Sequence, residues 1–549
     1  MKIFARHDKS TFTSAELAEM LIDPYEKTPK YAKAAVIFLC SGIALFGLIN
    51  VAYCLLRTRR AALFAHFQKL HSQPSGRQPR ATRFVSFPTV GTILLIVVFW
   101  LFVGIWTFAQ TPYYRSRWNV GSPPLAMRAG LFALGCFPFI LAFGSKWNIV
   151  YHQWLSHLFL ILSLLHTFPF VVQGTHEIRP NTDGLNPHGS GIAALVPLAV
   201  LCWGSFAFIR NRSYELFKYL HIVSAVLFSA FFYIHCNALL TSWHYLWATA
   251  AVYLTALLIR LCLILVRNGR RLPLAHLEAL PDHAIRATIS LPVGTGIRWT
   301  AGQHYFVNFL KANAWESHPY TVTNAPWIDP SSSASPSSMI LLLRVSPLTG
   351  LGPRLLHLAS SSSSSPTTRV LLDGPYGGPS SSSSIEFGRH ERVVLIAGGA
   401  GMSFVVAVVE ELCGRMRRGR DEGGLGCGGV ERAIRFVEDK VELHVYVTGS
   451  SSLRDDVGDA MVEKVEDESG SPSSAPWIMH HHRPSLPALL TSAFDSALPK
   501  SSIGIGSCGP TSLTEEVRRV VASRQRDIAF GKSGQGVGEI ELWTEEFGW

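Results

Sequence analysis

The sequence predicts a polytopic α-helical membrane bundle of about seven helices, followed by a soluble half that divides into a small β-barrel and an α/β domain. Three observations carry that prediction. Charged residues make up 16% of the 549-residue chain, against roughly 25% in ordinary soluble proteins. Apolar runs fill residues 34–266, whereas 267–549 has the mixed composition of soluble protein. Four histidines also stand inside the apolar half, in two pairs with one common spacing.

A spanning helix takes about 20 mostly apolar residues. The candidates are 34–56, 89–109, 124–143, 149–172, 191–209, 214–236 and 243–266. Loops 57–88, 144–148 and 210–213, with the tail 267–271, carry thirteen Lys and Arg, while loops 110–123, 173–190 and 237–242 carry three. The positive-inside rule then places the N-terminal tail, 1–33, outside and the C-terminal half in the cytosol. Seven spans satisfy that parity. The six basic residues of the tail pull the other way, but the contrast between loops outweighs them. The polar N-terminus is unlike a cleaved signal peptide.

The formal charge of +11 does not point to nucleic acid. Seven Lys and Arg cluster between Arg57 and Arg83, directly after an apolar run, where an inner-face membrane loop needs them. The expected partner is the lipid bilayer, with no nucleic acid. Nine cysteines form no CxxC pair, and Cys40, Cys54, Cys136, Cys202 and Cys262 lie in apolar segments. That usage implies neither a disulfide framework nor a zinc site.

The fourth span, "HQWLSHLFLILSLLH", holds His152 and His166, and the sixth, "HIVSAVLFSAFFYIH", holds His221 and His235; both pairs are fourteen residues apart. On a helix that interval returns the side chain to within about 40° of the same face, about 21 Å further along the axis. Two such helices side by side present two facing imidazole pairs, one near each membrane surface. Imidazole on both faces of a porphyrin holds a low-spin, electron-transferring haem iron, and a bundle core can carry such a site. A single intramembrane histidine is more simply read as hydrogen-bonded or part of a proton path, but two matched pairs favour two haems. His157, about 140° round the helix from His152, cannot share that face and is assigned a supporting role.

The soluble half begins with short alternating strands, "AIRATISL" and "HYFVNFL", as in a small β-barrel. "ESHPYTVTNAP", "RVLLDGPYGGP", "RVVLIAGGAGMSF" and "SIGIGSCGP" follow in that order. In the third, an apolar strand runs into Gly398, Gly399 and Gly401 and then a helix, a junction whose backbone amides can approach a pyrophosphate. Serine tracts at 331–338, 360–365 and 380–384 are expected to be surface insertions.

These motifs together resemble the fungal ferric reductase family, a transmembrane component of iron and copper reduction within the ferric reductase and NADPH oxidase superfamily. Its cytosolic half is ferredoxin–NADP-reductase-like. The resemblance covers about 125–549. It implies His152, His166, His221 and His235 as ligands of two b-type haems. His318, Pro319, Tyr320 and Thr321 match the HPFT flavin signature, so the resemblance implies FAD, with Tyr320 packing on the ring and the Thr321 hydroxyl reaching its reactive nitrogen. "AGQHYFV", with Gly302, Gln303 and His304, resembles the strand before that signature. "GGAGMSF" resembles the nicotinamide loop but has Ala400 for a hydroxyl residue and Phe404 for the usual proline. Cys508, Gly509 and Pro510 match the motif beside the nicotinamide ring, and Trp549 would cover the flavin. NADPH is the implied donor; Thr448, Ser450 and Arg454 are candidates for its 2′-phosphate, or equally a solvated loop.

The implied boundaries are a transmembrane haem domain at 34–266, an FAD-binding barrel at 267–385 and an NADPH-binding α/β domain at 386–549. The implied activity is NADPH-dependent ferric-chelate reduction: electrons pass through FAD and two haems to ferric or cupric chelates outside. An iron permease with a multicopper oxidase would act downstream. A multi-pass protein of the plasma membrane is expected first, of the vacuolar membrane second. Two rivals stay open: a superoxide-generating NADPH oxidase, and a haem-bearing scaffold or transporter without redox turnover.

Overall fold

The structure is a computed structural model. It describes residues 28–56, 90–114, 122–144, 149–172, 187–237, 239–269, 271–292, 295–325, 338–348, 350–360, 366–379, 387–418, 444–446, 478–480, 482–529 and 537–546. Two compact units divide at Ile259/Arg260.

In the first unit the apolar runs are helices: α1 (Pro29–Leu56), α2 (Val90–Phe108), α3 (Pro124–Ala142), α4 (Ile149–Val172), α5 (Pro187–Trp203), α6 (Ala207–Arg212), α7 (Tyr214–Cys236) and α8 (Ser242–Asn268). Among the described residues six helices are long and apolar enough to cross a membrane. The fifth expected span, 191–209, differs. Its helix α5 has 17 residues and stops at Trp203. Three residues, Gly204, Ser205 and Phe206, separate it from the short α6. The Ser205 hydroxyl donates back to the Leu201 carbonyl (2.5 Å), a side-chain bond that competes with helix continuation.

The most buried segment of the bundle is α3, which packs on α1 and α4. Its N-terminus meets the start of α1 and the end of α2. There Tyr31 donates to the Gln110 side chain (2.6 Å), and buried Arg128 donates to the Gln110 and Pro112 carbonyls.

The second unit opens with the barrel: β1 (Leu274–Leu280), β2 (Ala284–Ser290), β3 (His304–Phe309), β4 (His318–Thr321), β5 (Ser338–Arg344), helix α9 (Gly352–Ser360) and β6 (Thr367–Tyr376). The strand order is β4-β3-β6-β1-β2-β5, and a bridge between Val322 and Leu341 joins the two edges. Alternation works as the sequence implies: Ile285, Ala287 and Ile289 point inward and are fully buried.

The α/β part holds β7 (Arg392–Ala397), α10 (Met402–Arg418), β8 (His444–Tyr446), β9 (Ile478–His480), α11 (Leu486–Asp495), β10 (Ser502–Gly509), α12 (Thr511–Ala529) and β11 (Glu539–Glu546). Strands β11-β10-β7 form a parallel sheet, so the turns after β7 and β10 open at one edge, where α/β sheets bind ligands.

The last turn of α8 belongs to this second unit. Asn268 donates to the Leu372 carbonyl (2.7 Å) and accepts from the Leu372 amide (3.0 Å), both buried. Asn268→Ala strands both groups, and the expected cost is about 2–4 kcal/mol. A clear fall in the thermal unfolding midpoint of the detergent-solubilised chain checks this.

Candidate functional site

Four imidazoles meet in two pairs within the bundle. The ring centres of His152 and His221 lie 6.2 Å apart, inclined at 56°. Those of His166 and His235 lie 6.0 Å apart at 82°. Two imidazoles bound on opposite sides of one iron, through bonds of about 2 Å, have ring centres about 6 Å apart. Both pairs therefore fit a shared iron.

Each ring is also turned by a partner on its other nitrogen. His152 Nδ1 donates to the Ile140 carbonyl and His166 Nδ1 to the Ala126 carbonyl, each at 2.8 Å. His221 Nδ1 reaches Ser205 Oγ at 3.3 Å, and His235 Nδ1 reaches Ser190 Oγ at 3.5 Å. At His152, His166 and His221 the partner accepts, so Nδ1 carries the proton and Nε2 keeps its lone pair, the usual arrangement for a histidine that ligates. The break after α5 has a consequence here, since it places Ser205 under His221.

Two glycines make room for the rings. A methyl group on Gly130 would lie 2.6 Å from His166 Nδ1, and one on Gly191 would lie 3.0 Å from His235 Cε1. Neither glycine was singled out from the sequence, because the close approach is long-range. Also missed were Phe159 and Phe228, which stand at the midpoint of each fourteen-residue interval. Their rings meet edge-on at 5.7 Å and, with Phe137 and Phe232, fill the layer between the histidine pairs. The signal was available: seven residues separate each phenylalanine from either flanking histidine. His157 does stand apart from the pairs, stacked on Phe206 at 6.2 Å. Among the described residues no group of three or more His, Cys, Asp or Glu converges to hold a metal ion.

In the second unit His318, Pro319, Tyr320 and Thr321 form β4, hydrogen-bonded to β3 with His304 opposite Thr321 and Tyr305 opposite Tyr320. Thr321 is buried, and its hydroxyl has no hydrogen-bond partner. An orphaned buried hydroxyl is costly unless something else satisfies it, which fits a ligand nitrogen. Tyr320 packs edge-on against Phe309. Burial first, then Glu316, pushes its phenol up, so it stays neutral.

Gly398 follows β7 in extended conformation, and Gly399 has φ +56°, a left-handed geometry that glycine adopts without strain. Gly401 then leads into α10. The Gly398 amide donates to the Cys508 carbonyl (2.9 Å), which ties this turn to the one after β10, where Gly509 and Pro510 lie. The Cys508 thiol is buried, and burial, then Glu545, raises its pKa; it is a neutral thiol, unsuited to nucleophilic attack. Arg344 was not singled out from the sequence. Its guanidinium comes within 3.9 Å of where a Gly399 side chain would begin, adding positive charge at the glycine turn. Trp549, Thr448, Ser450 and Arg454 lie outside the described residues.

Three family models match in the order of these sites: the ferric reductase-like transmembrane component at 129–232, an FAD-binding domain at 270–380 and the ferric reductase NAD-binding domain at 432–522. In this order the three matched domains resemble those of ferric reductases. A cell surface ferric reductase of Aspergillus oryzae is 30% identical over 64% of this chain and 48% of its own length. Ferric/cupric reductase transmembrane component 7 of Saccharomyces cerevisiae is 28% identical over 58% of this chain and 52% of its own. The chain thus spans about half the length of these curated relatives. Among solved structures, a ferredoxin NADP+ reductase from Neisseria gonorrhoeae overlaps 51% of this chain and all of its own at 14% identity, with a TM-score of 0.28, too loose to add weight. The chain is a multi-pass membrane protein whose C-terminal half carries FAD- and pyridine-nucleotide-binding domains.

Substituting Gly399→Ala forces a side chain into φ +56°, a strain of about 1 kcal/mol. The expected result is a several-fold rise in KM for the nucleotide. An unchanged KM would count against this turn as the nucleotide cradle.

Proposed function

We infer that this chain is a transmembrane metalloreductase, oxidising cytosolic NADPH and reducing ferric or cupric chelates on the other side of the membrane. The observation that carries the reading is the pair of imidazole pairs, each at the separation of two ligands on one iron. Bound FAD would supply the exchange between two-electron and one-electron chemistry, and b-type haem held by each histidine pair would supply a one-electron carrier.

The chain's own residues do the rest. His152 with His221, and His166 with His235, would hold the two haem irons through Nε2. The carbonyls of Ile140 and Ala126 and the hydroxyls of Ser205 and Ser190 keep those nitrogens aimed. The Thr321 hydroxyl would satisfy a polar atom of the flavin and Tyr320 would pack beside it, within a strand that also carries His318 and Pro319. The amides around Gly398, Gly399 and Gly401, with Arg344, would hold the pyrophosphate charge of a dinucleotide. Gly509 and Pro510 shape the facing turn, Cys508 offers a neutral thiol beside it, and Trp549 would cover the flavin until nicotinamide arrives. Nothing in this arrangement calls for a covalent intermediate. The plasma membrane is the proposed location, with an iron permease and multicopper oxidase taking up the reduced metal.

The test is a reduced-minus-oxidised spectrum of membranes bearing the wild type, His166→Ala and His235→Ala. Each substitution is expected to abolish about half of the haem absorbance, since one of two sites is lost. Unchanged absorbance in both would sink the ligand assignment. Gly130→Ala, which crowds His166, should shift that haem's spectrum with less loss. NADPH oxidation that yields superoxide and leaves ferric chelate untouched would favour the oxidase instead.

A further inference from the structure

Helix α8 is longer than its apolar task requires. Its 27 residues span about 40 Å, against a hydrocarbon core of about 30 Å. An arginine stands within it at position 260, where the second compact unit begins. A charge on an apolar helix normally marks a function and a partner.

The partner is the barrel. Arg260 Nε and one terminal nitrogen donate to Asp373 Oδ2 at 3.0 and 2.6 Å. The other carboxylate oxygen accepts from the Tyr376 hydroxyl at 2.6 Å. Burial, then this bond to Asp373, holds the Tyr376 phenol up at about 12, so it remains the donor. One turn pair later Arg267 donates to the Gly374 carbonyl, and Asn268 makes its two bonds to Leu372. Residues 260 and 267 share a helix face, with 268 beside it. That face addresses three consecutive residues of β6: Leu372, Asp373 and Gly374.

Those residues lead straight to the proposed flavin strand. Asp373 lies opposite Phe306 of β3, and Phe306 lies opposite Pro319 of β4; Tyr376 lies opposite His304, which lies opposite Thr321. The helix is therefore two hydrogen-bonded strands away from His318–Thr321. Exposed ion pairs usually contribute little, and the Arg260 side chain is 56% exposed, but Asp373 is only 9% exposed and both of its oxygens are engaged. The cluster specifies a position more than it supplies stability.

We propose that Arg260, backed by Arg267 and Asn268, is a positioning residue: it latches the flavin barrel to the last transmembrane helix and governs electron delivery from flavin to haem, without governing hydride transfer to flavin. This rests on the metalloreductase reading above.

The test uses the full chain in lipid nanodiscs, loaded with FAD and haem, as wild type, Arg260→Gln, Arg260→Lys and Asn268→Ala. Anaerobic stopped flow follows flavin reduction by NADPH and then haem reduction, and hydrogen exchange follows the amides of 372–374. Flavin reduction should stay within about twofold of wild type, whereas haem reduction in R260Q and N268A should slow about tenfold or more, as small misplacements do. Exchange at 372–374 should rise in both, and R260K should recover most of the haem rate. Wild-type rates of haem reduction in R260Q and N268A would overturn the latch, as would equal slowing of both steps or R260K as slow as R260Q. Wild-type haem that NADPH cannot reduce, despite a reduced flavin, would instead overturn the electron path and the latch with it.

Discussion

Four hydrogen bonds at imidazole Nδ1 set the terms for the membrane half. An imidazole in a hydrocarbon-facing bundle is costly unless both nitrogens are satisfied. The bundle gives Nδ1 of each ring a partner, and the four rings meet in two pairs. Doing so fixes much else. Residue 126 of α3 must come close to His166, and Ile140 at the far end of α3 must come close to His152. The same helix therefore registers both ends of α4. On the other side, α5 must end early so that Ser205 can turn beneath His221. The aromatic layer of Phe159 and Phe228 then fills a gap that the fourteen-residue spacing itself creates.

The soluble unit follows a different logic, in which register replaces helix spacing. Strands β4, β3 and β6 are neighbours, so a residue fixed in β6 fixes its opposite numbers in β3 and β4. Since α8 binds β6 through Asn268 and Arg260, the barrel begins its register at the end of the last apolar helix. At the other edge, the Gly398 amide and the Cys508 carbonyl join two turns of the α/β sheet. The glycines there serve close backbone approach, which no side chain could supply.

What the sequence disclosed was periodic or local. The histidine interval was legible because 3.6-residue periodicity converts fourteen positions into one face. The strand at His304 was legible from alternation, the segment at His318 only from its likeness to a flavin signature, and the Gly398–Gly401 turn from its glycines. Partners at long range were not. Ser205 and His221 are sixteen residues apart, one in the turn after α5 and the other on α7; Gly130 and His166 meet only because α3 packs on α4; Arg260 and Asp373 are separated by 113 positions. Length alone also misjudged the fifth span, because an apolar run through Gly204 and Ser205 reads as continuous until a hydroxyl finds its own backbone. Arg260 was hidden for a similar reason: a single charge in a 24-residue apolar stretch barely alters its hydrophobic pattern, although its need for a partner should have drawn attention.

Phe404 shows how a departure from a family pattern can be absorbed. The ferric reductase pattern favours proline at this position, and phenylalanine adds bulk at the joint between the barrel and the α/β domain. The ring is nevertheless fully buried. Two glycines receive it: a methyl group on Gly302 would lie 2.7 Å from Phe404 Cε2, and one on Gly506 would lie 3.4 Å from Cε1. Gly302, at φ +80°, is doubly constrained, since neither its backbone nor its neighbour tolerates a side chain. The bulk of Phe404 thus occupies space left open by the strand before β3 and by β10. Proline would leave that space unfilled, and an unfilled core space is destabilising. The aromatic ring, Gly302 and Gly506 form one packing unit, and the departure at 404 is best understood with its two small partners.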